Sequence, residues 1–483
     1  MISLILLVPI LGSLILMPLE ENSLESRSRI KQIALATSCL NLLLSVYIWI
    51  SFDSNYTQFQ FVEEFNQLDF LHFYVGIDGI SLYFILMTTF ITPICILSNW
   101  DDIQYKIKYY LISFLLLETL QIAVFVVLDL LLFYIFFESV LIPLFLIVGI
   151  WGASENRIRA SFLLFLYTLF GSLWMLLAIM VLFHHLGTTD LEFLSVSDVV
   201  FKNQHLLWIA FFISFAIKTP LWPTHGWLFR AHAEAPLAGS IILAAVILKL
   251  ATYGYLRIIL PLLPDSSSFF IPLVQTVAII TLIYSSLATL RQIDLKALIA
   301  YSSVGHMAIA VLGIFSNTIQ GIEGALMLSI AHAFVSPALF ICVGGILYSR
   351  YHTRIIKYYR GIALRMPVFA IFFFLFTLFN MAIPLSANWI GELLSLSGTF
   401  QRSPLVGVLG SLSIVLSAAY SIWLYNRISF GSFSPYLKPT KDLTRREFFL
   451  LLPLVLLTVL FGMFPNIVLD NLHLSVSTLL YRV

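Results

Sequence analysis

Charge is what this sequence has least of. Only 11% of its 483 residues are Asp, Glu, Lys or Arg, against about 25% in an ordinary soluble domain. Hydrophobic residues make up 60% and the mean hydropathy is +0.98. So much apolar surface excludes a water-soluble globule. No charge of one sign dominates either: 26 basic and 25 acidic residues leave a net +1, which denies a nucleic-acid partner the basic face it needs. Cysteine is rare. Cys39, Cys95 and Cys342 lie far apart in apolar stretches, which excludes a disulfide framework and a CxxC metal or cluster site. All three are expected as small buried hydrophobes. Phe, by contrast, occurs 42 times and aromatics reach 15%, as suits lipid-facing and interfacial positions. The segment Met1-Ile-Ser-Leu-Ile-Leu-Leu7 enters an apolar run at once. It has neither the Arg/Ser-rich stretch of an imported mitochondrial precursor nor a signal-peptide cleavage site. The first span is expected to be retained and inserted from the side where the chain is made.

A membrane-crossing helix needs about 20 apolar residues. The polar interruptions divide the chain into about fourteen such segments: 1–18, 33–52, 78–98, 109–127, 130–150, 160–185, 206–229, 237–259, 270–290, 297–315, 322–348, 367–400, 404–426 and 448–469. The fold class this implies is an all-α polytopic membrane protein. Basic residues test the division, because they gather in loops on the side from which insertion occurs. Alternate connections, starting after the first span, hold Arg27, Arg29, Lys31, Lys106, Lys108, Arg157, Arg159, Arg230, Arg291, Lys296, Arg350, Arg354, Lys357, Arg360, Arg365, Arg427, Lys438, Lys441, Arg445 and Arg446. The other side holds Lys202, Arg257, Arg402 and Arg482. A wrong division would scramble that alternation. It leaves both termini on the non-basic side.

Two basic residues remain, and both fall inside spans: Lys218 and Lys249. A charge at mid-bilayer costs roughly 2.5–3.5 kcal/mol on insertion scales, and such residues serve chiefly in ion pathways and proton relays. Glu118, Glu138, His306, His332 and Glu392 join them. The competing role for each is plain helix-to-helix pairing. Several spread along one chain favour transport over pairing. Glu118 stays open between the two.

Lys218 stands in Phe215-Ala-Ile-Lys-Thr-Pro-Leu-Trp-Pro223. Pro220 and Pro223 each remove a backbone donor and clash with the preceding turn, so the helix is expected to break there. Broken helices at membrane depth line polar cavities. Lys218 then falls near the C-terminal, partly negative end of a half-helix, where a cation is favoured. Segment 367–400 repeats the device with opposite sign: Pro384 interrupts it, and Glu392 follows in the early turns of the second half. A simple kink is the alternative at each proline. The spacing hints at duplication. Glu138 precedes Lys218 by 80 residues and His306 precedes Glu392 by 86. Five-span units in residues 109–259 and 260–428 place these pairs equivalently. An odd number of spans per unit gives the inverted repeat of many transporters. Residues 1–108 hold the first three spans, and 429–483 a loop and the last.

Burial disfavours the charged form of either group, and an opposite charge nearby restores it. Glu138 and Lys218 therefore constitute a switch if they approach one another, with titration belonging to the pair. Histidines 306 and 332 are natural carriers between fixed charges. His225, His232 and Glu234 form no complete metal-ligand set and are expected in a polar loop closing the broken segment. Asp294 and Lys296 read as helix-start and interfacial residues, with a gate on proton uptake as the lesser alternative. The five basic residues of 350–365 read as an orientation signal and a lipid head-group site.

At this point a resemblance becomes specific. Gly76-Ile-Asp-Gly-Ile-Ser-Leu82, Leu130-Leu-Leu-Phe-Tyr-Ile-Phe-Phe-Glu138, Leu287-Ala-Thr-Leu-Arg-Gln-Ile-Asp-Leu-Lys-Ala-Leu-Ile-Ala-Tyr-Ser-Ser303 and Ile390-Gly-Glu392 resemble the antiporter-like membrane-arm subunits of mitochondrial NADH:ubiquinone oxidoreductase, respiratory complex I. The likeness runs over nearly the whole chain. It implies fourteen transmembrane helices with discontinuous helices 7 and 12. It also implies a proton relay of Glu138, Lys218, Lys249, His306, His332 and Glu392, the last a glutamate where sister subunits carry lysine. Pro220, Pro223 and Pro384 mark the breaks. The resemblance further implies the mitochondrial inner membrane, with basic loops in the matrix and both termini on the intermembrane-space side. The other membrane-arm subunits are the implied partners, two sister antiporter-like subunits included, with membrane lipids such as cardiolipin. No cofactor, metal or catalytic residue is expected in this chain. NADH, flavin, iron–sulfur clusters and ubiquinone would act elsewhere in the complex, where quinone reduction drives the relay. The chain departs from the pattern at Phe229-Arg230, usually Pro and an acid, and at Ala387 and Trp389, usually Gly and Phe.

Three rivals remain. A cation/proton antiporter subunit shares the fold and would show sodium-dependent proton flux. A membrane oxidoreductase with its own haem or copper would show an absorption spectrum. A structural scaffold would keep pumping unchanged in Lys218→Ala.

Overall fold

The computed structural model describes residues 1–68, 71–196 and 204–481. Lys202 and Arg482 of the charge count lie outside them. Apart from one hairpin the described chain is helical. Eleven helices are long and apolar enough to cross a membrane, and Ile2–Leu16, Gln204–Lys218 and Pro367–Asn380 are shorter apolar ones. This is a polytopic membrane protein.

Burial sorts the helices into two classes. The apolar windows of Leu237–Leu262 and Ile319–Tyr351 are wholly buried, and that of Leu295–Ile314 nearly so. Leu24–Ser51, Arg157–Leu186, Pro404–Ser429 and Arg445–Met463 keep well over half of theirs on the outside. Both classes are equally apolar, because lipid and protein interior ask for the same residues. Cys39 shows the consequence. It lies exposed on the outer face of Leu24–Ser51, whereas Cys95 and Cys342 are buried, so the expectation of three buried thiols is corrected at Cys39.

The connections segregate onto two faces. On one, Arg350 grips both carboxylate oxygens of Glu447 at 2.7 and 2.8 Å. Arg354 reaches Glu234 at 3.6 Å and Asp294 at 3.3 Å, Arg446 pairs with Asp101, and Lys108 bonds the carbonyls of Met17 and Leu19. On the other face the hairpin β1 (Gln60–Leu68) and β2 (Leu71–Ile77), paired antiparallel with Glu63 opposite Val75, meets Glu192 through Tyr74 at 2.9 Å. Gln401 there bonds Gln320 at 2.8 Å. The basic connections thus share one side. Arg350, Arg354 and Arg360, the last held by Ser432, already have partners within the protein.

Two helices break at the prolines. Gln204–Lys218 stops at its lysine, and a short tight turn, Thr224–Trp227, leads into Leu228–Glu234. Pro367–Asn380 stops before Pro384 and restarts as Ala387–Arg402, with the Ser386 hydroxyl accepting from the Trp389 amide. Within this second break Ala382 (φ +56°) and Leu385 (φ +74°) are left-handed, a conformation that costs a non-glycine residue about 1–3 kcal/mol and persists only where the surroundings enforce it. Two further helices are irregular just before a proline that does not end the span. The helical hydrogen bonding from Leu130 is interrupted at Val140, two residues after Glu138 and three before Pro143, within the single apolar span Leu130–Trp151. Leu237–Leu262 contains wide π-helical turns at Leu243–Ile247 and Tyr255–Ile259. Such turns recur at functional sites.

The C-terminal helix Asn466–Tyr481 packs on the start of Gly79–Ser98. The Gly79 amide donates to the Ser475 hydroxyl at 3.1 Å, and a Cβ at Gly79 would lie 2.0 Å from the Asn471 carbonyl oxygen. Only glycine permits that approach.

Candidate functional site: a buried row of titratable side chains

Lys249 anchors the row. It lies in Leu248–Gly254, between the two wide turns, and is fully buried. Its ammonium nitrogen is 2.5 Å from the Ala244 carbonyl, in the first wide turn, and 2.7 Å from His332 Nδ1. An N–H donor needs a lone pair opposite it, so a single proton occupies the Lys249–His332 contact and either partner can hold it. The His332 and His306 rings have centroids 5.6 Å apart. His306 Nδ1 then meets Glu392 Oε1 at 2.8 Å. His306 and Glu392 are 2% and 3% exposed. His332 Nε2, His306 Nε2 and Glu392 Oε2 have no protein partner, and buried polar atoms of this kind are positions for water. Four of the six expected residues are thus contiguous.

The other two form a separate group. Lys218, the last residue of its half-helix, donates to the Phe137 carbonyl at 2.9 Å and lies 3.2 Å from the centre of the Phe137 ring. That carbonyl belongs to the turn before the interruption at Val140, where helix carbonyls lack intrahelical partners. Glu138 is largely buried, with Oε1 enclosed and without a hydrogen-bond partner among the described residues, within electrostatic reach of Lys218 and beside Ser172. Among the described residues no Glu138–Lys218 ion pair closes: the lysine holds the neighbouring carbonyl instead. The two groups are joined by packing. Gly254, five residues past Lys249, sits against the Phe215 ring, where a Cβ would come within 2.4 Å.

Two residues outside the expected six join the site: His232, expected in a polar loop, and Lys296, for which a gate on proton uptake was the lesser alternative. His232 is wholly buried and stacked on Phe340 at 4.7 Å, with neither ring nitrogen bonded to protein. It lies within electrostatic range of both Lys249 and Lys296. Lys296 is 3% exposed and bonds the Ala235 carbonyl at 2.9 Å, which corrects its reading as interfacial. Nearby, Glu234 accepts from the Ser154 hydroxyl at 2.5 Å. Glu234 and Asp294 line a cleft of about 370 Å³ on the basic face, with Arg159, Arg230 and Gln292. His232, Lys296 and Glu234 are thus polar side chains between Lys249 and that face, each within electrostatic range of the next but not joined by hydrogen bonds among the described residues. Of the departures, Phe229 stacks on Tyr301 at 5.1 Å and leaves Arg230 exposed. Glu118, fully buried, accepts from the Asn41 amide at 2.7 Å, well away from the row in sequence and partners.

Residues 127–417 match the family described as NADH:quinone oxidoreductase/Mrp antiporter, transmembrane. The chain belongs to that family. All six row residues, with Pro220, Pro223 and Pro384, fall inside the family's matched span. The chain is also 66% identical over 481 residues to NADH-ubiquinone oxidoreductase chain 4 of Mycosarcoma maydis, covering 100% of this chain and 99% of the relative. The protein of that name from Marchantia polymorpha is 49% identical, over 98% and 96%. Among solved structures, a chain of respiratory complex I from Thermus thermophilus with bound NADH superimposes with a TM-score of 0.90 at 29% identity, covering 100% and 99%. A chain of the Mrp complex from Dietzia sp. gives 0.88 at 18%, covering 100% and 97%, a likeness of fold alone.

Proposed function

We propose that this chain is a proton-translocating membrane-arm subunit of NADH:ubiquinone oxidoreductase. The observation that carries the reading is the series Lys249–His332–His306–Glu392, two hydrogen-bonded pairs joined by a ring contact, its first three members on the most deeply buried helices and Glu392 on the half-helix packed against them. Hydrocarbon surroundings penalise each such group by several kcal/mol unless it is partnered, and packing alone would be served by Leu. The full-length chain 4 relatives favour this assembly over a cation/proton antiporter.

In this reading the eleven long and three short apolar helices are fourteen spans, and residues 109–259 and 260–428 are two inverted five-helix units flanked by 1–108 and 429–483. Glu138, Lys218, Lys249, His332, His306 and Glu392 carry protons. Lys249 and His332 share one across their contact, water joins His332 to His306, and His306 passes it to Glu392. Two unit charges 2.8 Å apart at an effective dielectric of about 20 interact by about 6 kcal/mol. A proton arriving at one of the two is therefore felt electrostatically by the other. The His232–Lys296–Glu234 branch is the inlet from the basic face. Redox chemistry, with flavin, iron–sulfur clusters and ubiquinone, belongs to other subunits. The two sister antiporter-like subunits are neighbours, and the basic face lies in the matrix of the mitochondrion, with both termini across the inner membrane.

Native electrophoresis with an in-gel NADH oxidation stain tests membership: this chain should co-migrate with the activity. In the assembled complex, Lys218→Ala should lower the protons moved per electron severalfold. An unchanged ratio refutes the relay.

A further inference from the structure

The face opposite the basic connections holds a polar cleft that the relay does not use. Its volume is about 440 Å³, and Asp78, Arg257, Glu192, Ser195, Ser475 and Thr478 line it. Arg257 Nη2 lies 2.6 Å from Asp78 Oδ1, and Nε donates to the Tyr253 hydroxyl at 3.0 Å. The guanidinium stands 4.9 Å from the Phe59 ring and 5.3 Å from the Tyr253 ring. Tyr253 in turn donates to the Phe125 carbonyl at 2.9 Å. Lys249, Tyr253 and Arg257 follow one another at four-residue steps of one helix, so they rise along one face about 6 Å at a time. Around Tyr253 pack the rings of Phe84, Phe125 and Phe133, at 5.9, 5.2 and 6.4 Å. A proton leaving Lys249 toward this face therefore meets a ring cluster, then a hydroxyl, then an ion pair.

We propose that Asp78, Arg257 and Tyr253 form an ion-pair gate that closes a proton passage between Lys249 and this cleft. The inference rests on the relay described above. As found, the gate is shut. The Tyr253 proton is committed to a carbonyl and its oxygen to Arg257, while Asp78 Oδ1 is ion-paired with the guanidinium and also accepts from the Ser81 amide. The fixed charge of Arg257 also repels an approaching proton. Arg257 rides on the wide turn Tyr255–Ile259, an irregularity frequent at functional sites, and it lines the cleft of about 440 Å³ into which its side chain can turn. Once Arg257 swings away, Asp78 is a free carboxylate. It accepts a proton from water on the Lys249 side and returns it to water in the cleft, with no other bond changed. Asp78 is held for this task by capping its helix, accepting from the Ser81 amide at 2.9 Å.

The test is passive proton flux through the purified complex in proteoliposomes with a trapped pH dye, driven by a potassium diffusion potential without NADH. Arg257→Gln should leak severalfold faster than wild type, Asp78→Asn, which removes the proton-carrying carboxylate, should stay as tight as wild type, and Arg257→Lys, which keeps the charge, should stay close to it. Wild-type tightness in Arg257→Gln, or a severalfold leak in Asp78→Asn, overturns the gate. If neither assembles, Tyr253→Phe, which removes one oxygen atom, decides by the same measure: raised flux supports the gate and unchanged flux overturns it. NADH-driven pumping in Lys218→Ala judges the relay separately, so the two ideas fail by different readings.

Discussion

Replacing Lys249 by methionine separates a working charge from a structural one. Methionine nearly keeps the volume of the lysine stem. The partners of the ammonium are the Ala244 carbonyl and His332 Nδ1, and neither carries negative charge. No orphaned anion is left behind, so the loss of about 3–5 kcal/mol seen when one member of a buried ion pair is removed does not apply. What remains is an unpartnered His332 nitrogen, worth about 1–3 kcal/mol, set against relief from burying a cation in the most enclosed helix. Apolar replacement of buried charge is often neutral or stabilising by about 1–4 kcal/mol, so the two effects offset. Lys249→Met should therefore reach normal levels on native gels and inactivate thermally near wild type, while protons moved per electron fall severalfold. Normal pumping would refute the relay. A collapse of assembly would refute the energetics, by showing that the ammonium holds the fold together.

Glu392→Gln keeps shape and polarity but leaves His306 without its anion, so pumping per electron should fall severalfold in a complex that still assembles; equal proton-to-electron ratios in variant and wild type would sink the His306–Glu392 step. Lys296→Met should slow NADH-driven proton uptake from the basic face without raising passive leak. An unchanged pumping rate would remove the inlet from that branch.

How much of this was legible in the sequence depends on whether a feature carries a local cost. Lys218, Lys249 and Glu392 stand out because a charge among apolar residues is expensive, and Pro220, Pro223 and Pro384 because proline cannot continue a helix. The 86-residue interval between His306 and Glu392 is a contact in space. Features without such a cost stayed hidden. The interruption at Val140 and the wide turn Tyr255–Ile259 lie just before Pro143 and Pro261, prolines that read as simple kinks, and the wide turn Leu243–Ile247 is made by ordinary apolar residues. Lys296 follows the capping residue Asp294 and so looks interfacial, and only the packing of Gly344 against its stem places it inside. Arg257 was counted among loop charges because it lies near a span's end. Cys39 misled because hydropathy cannot tell a lipid-facing position from a core one.

The division of the row is its most consequential feature. Lys249 and Glu392 belong to one continuous contact series, whereas Lys218 holds a carbonyl beside the residue meant to be its counter-ion. A lysine ammonium attached to a neutral carbonyl is free to leave it, since exchanging one acceptor for another costs little compared with abandoning an anion. Its four-carbon stem pivots from the end of a half-helix, next to a break that relaxes the backbone. Lys218 thus stays within electrostatic reach of Glu138 while donating to a neutral carbonyl. Had the two been locked in a close ion pair, freeing the lysine would have needed the carboxylate to be neutralised first. The break at Pro220 and the turn at Val140 are then two parts of one device, which keeps a cation close to its partner without fastening it there.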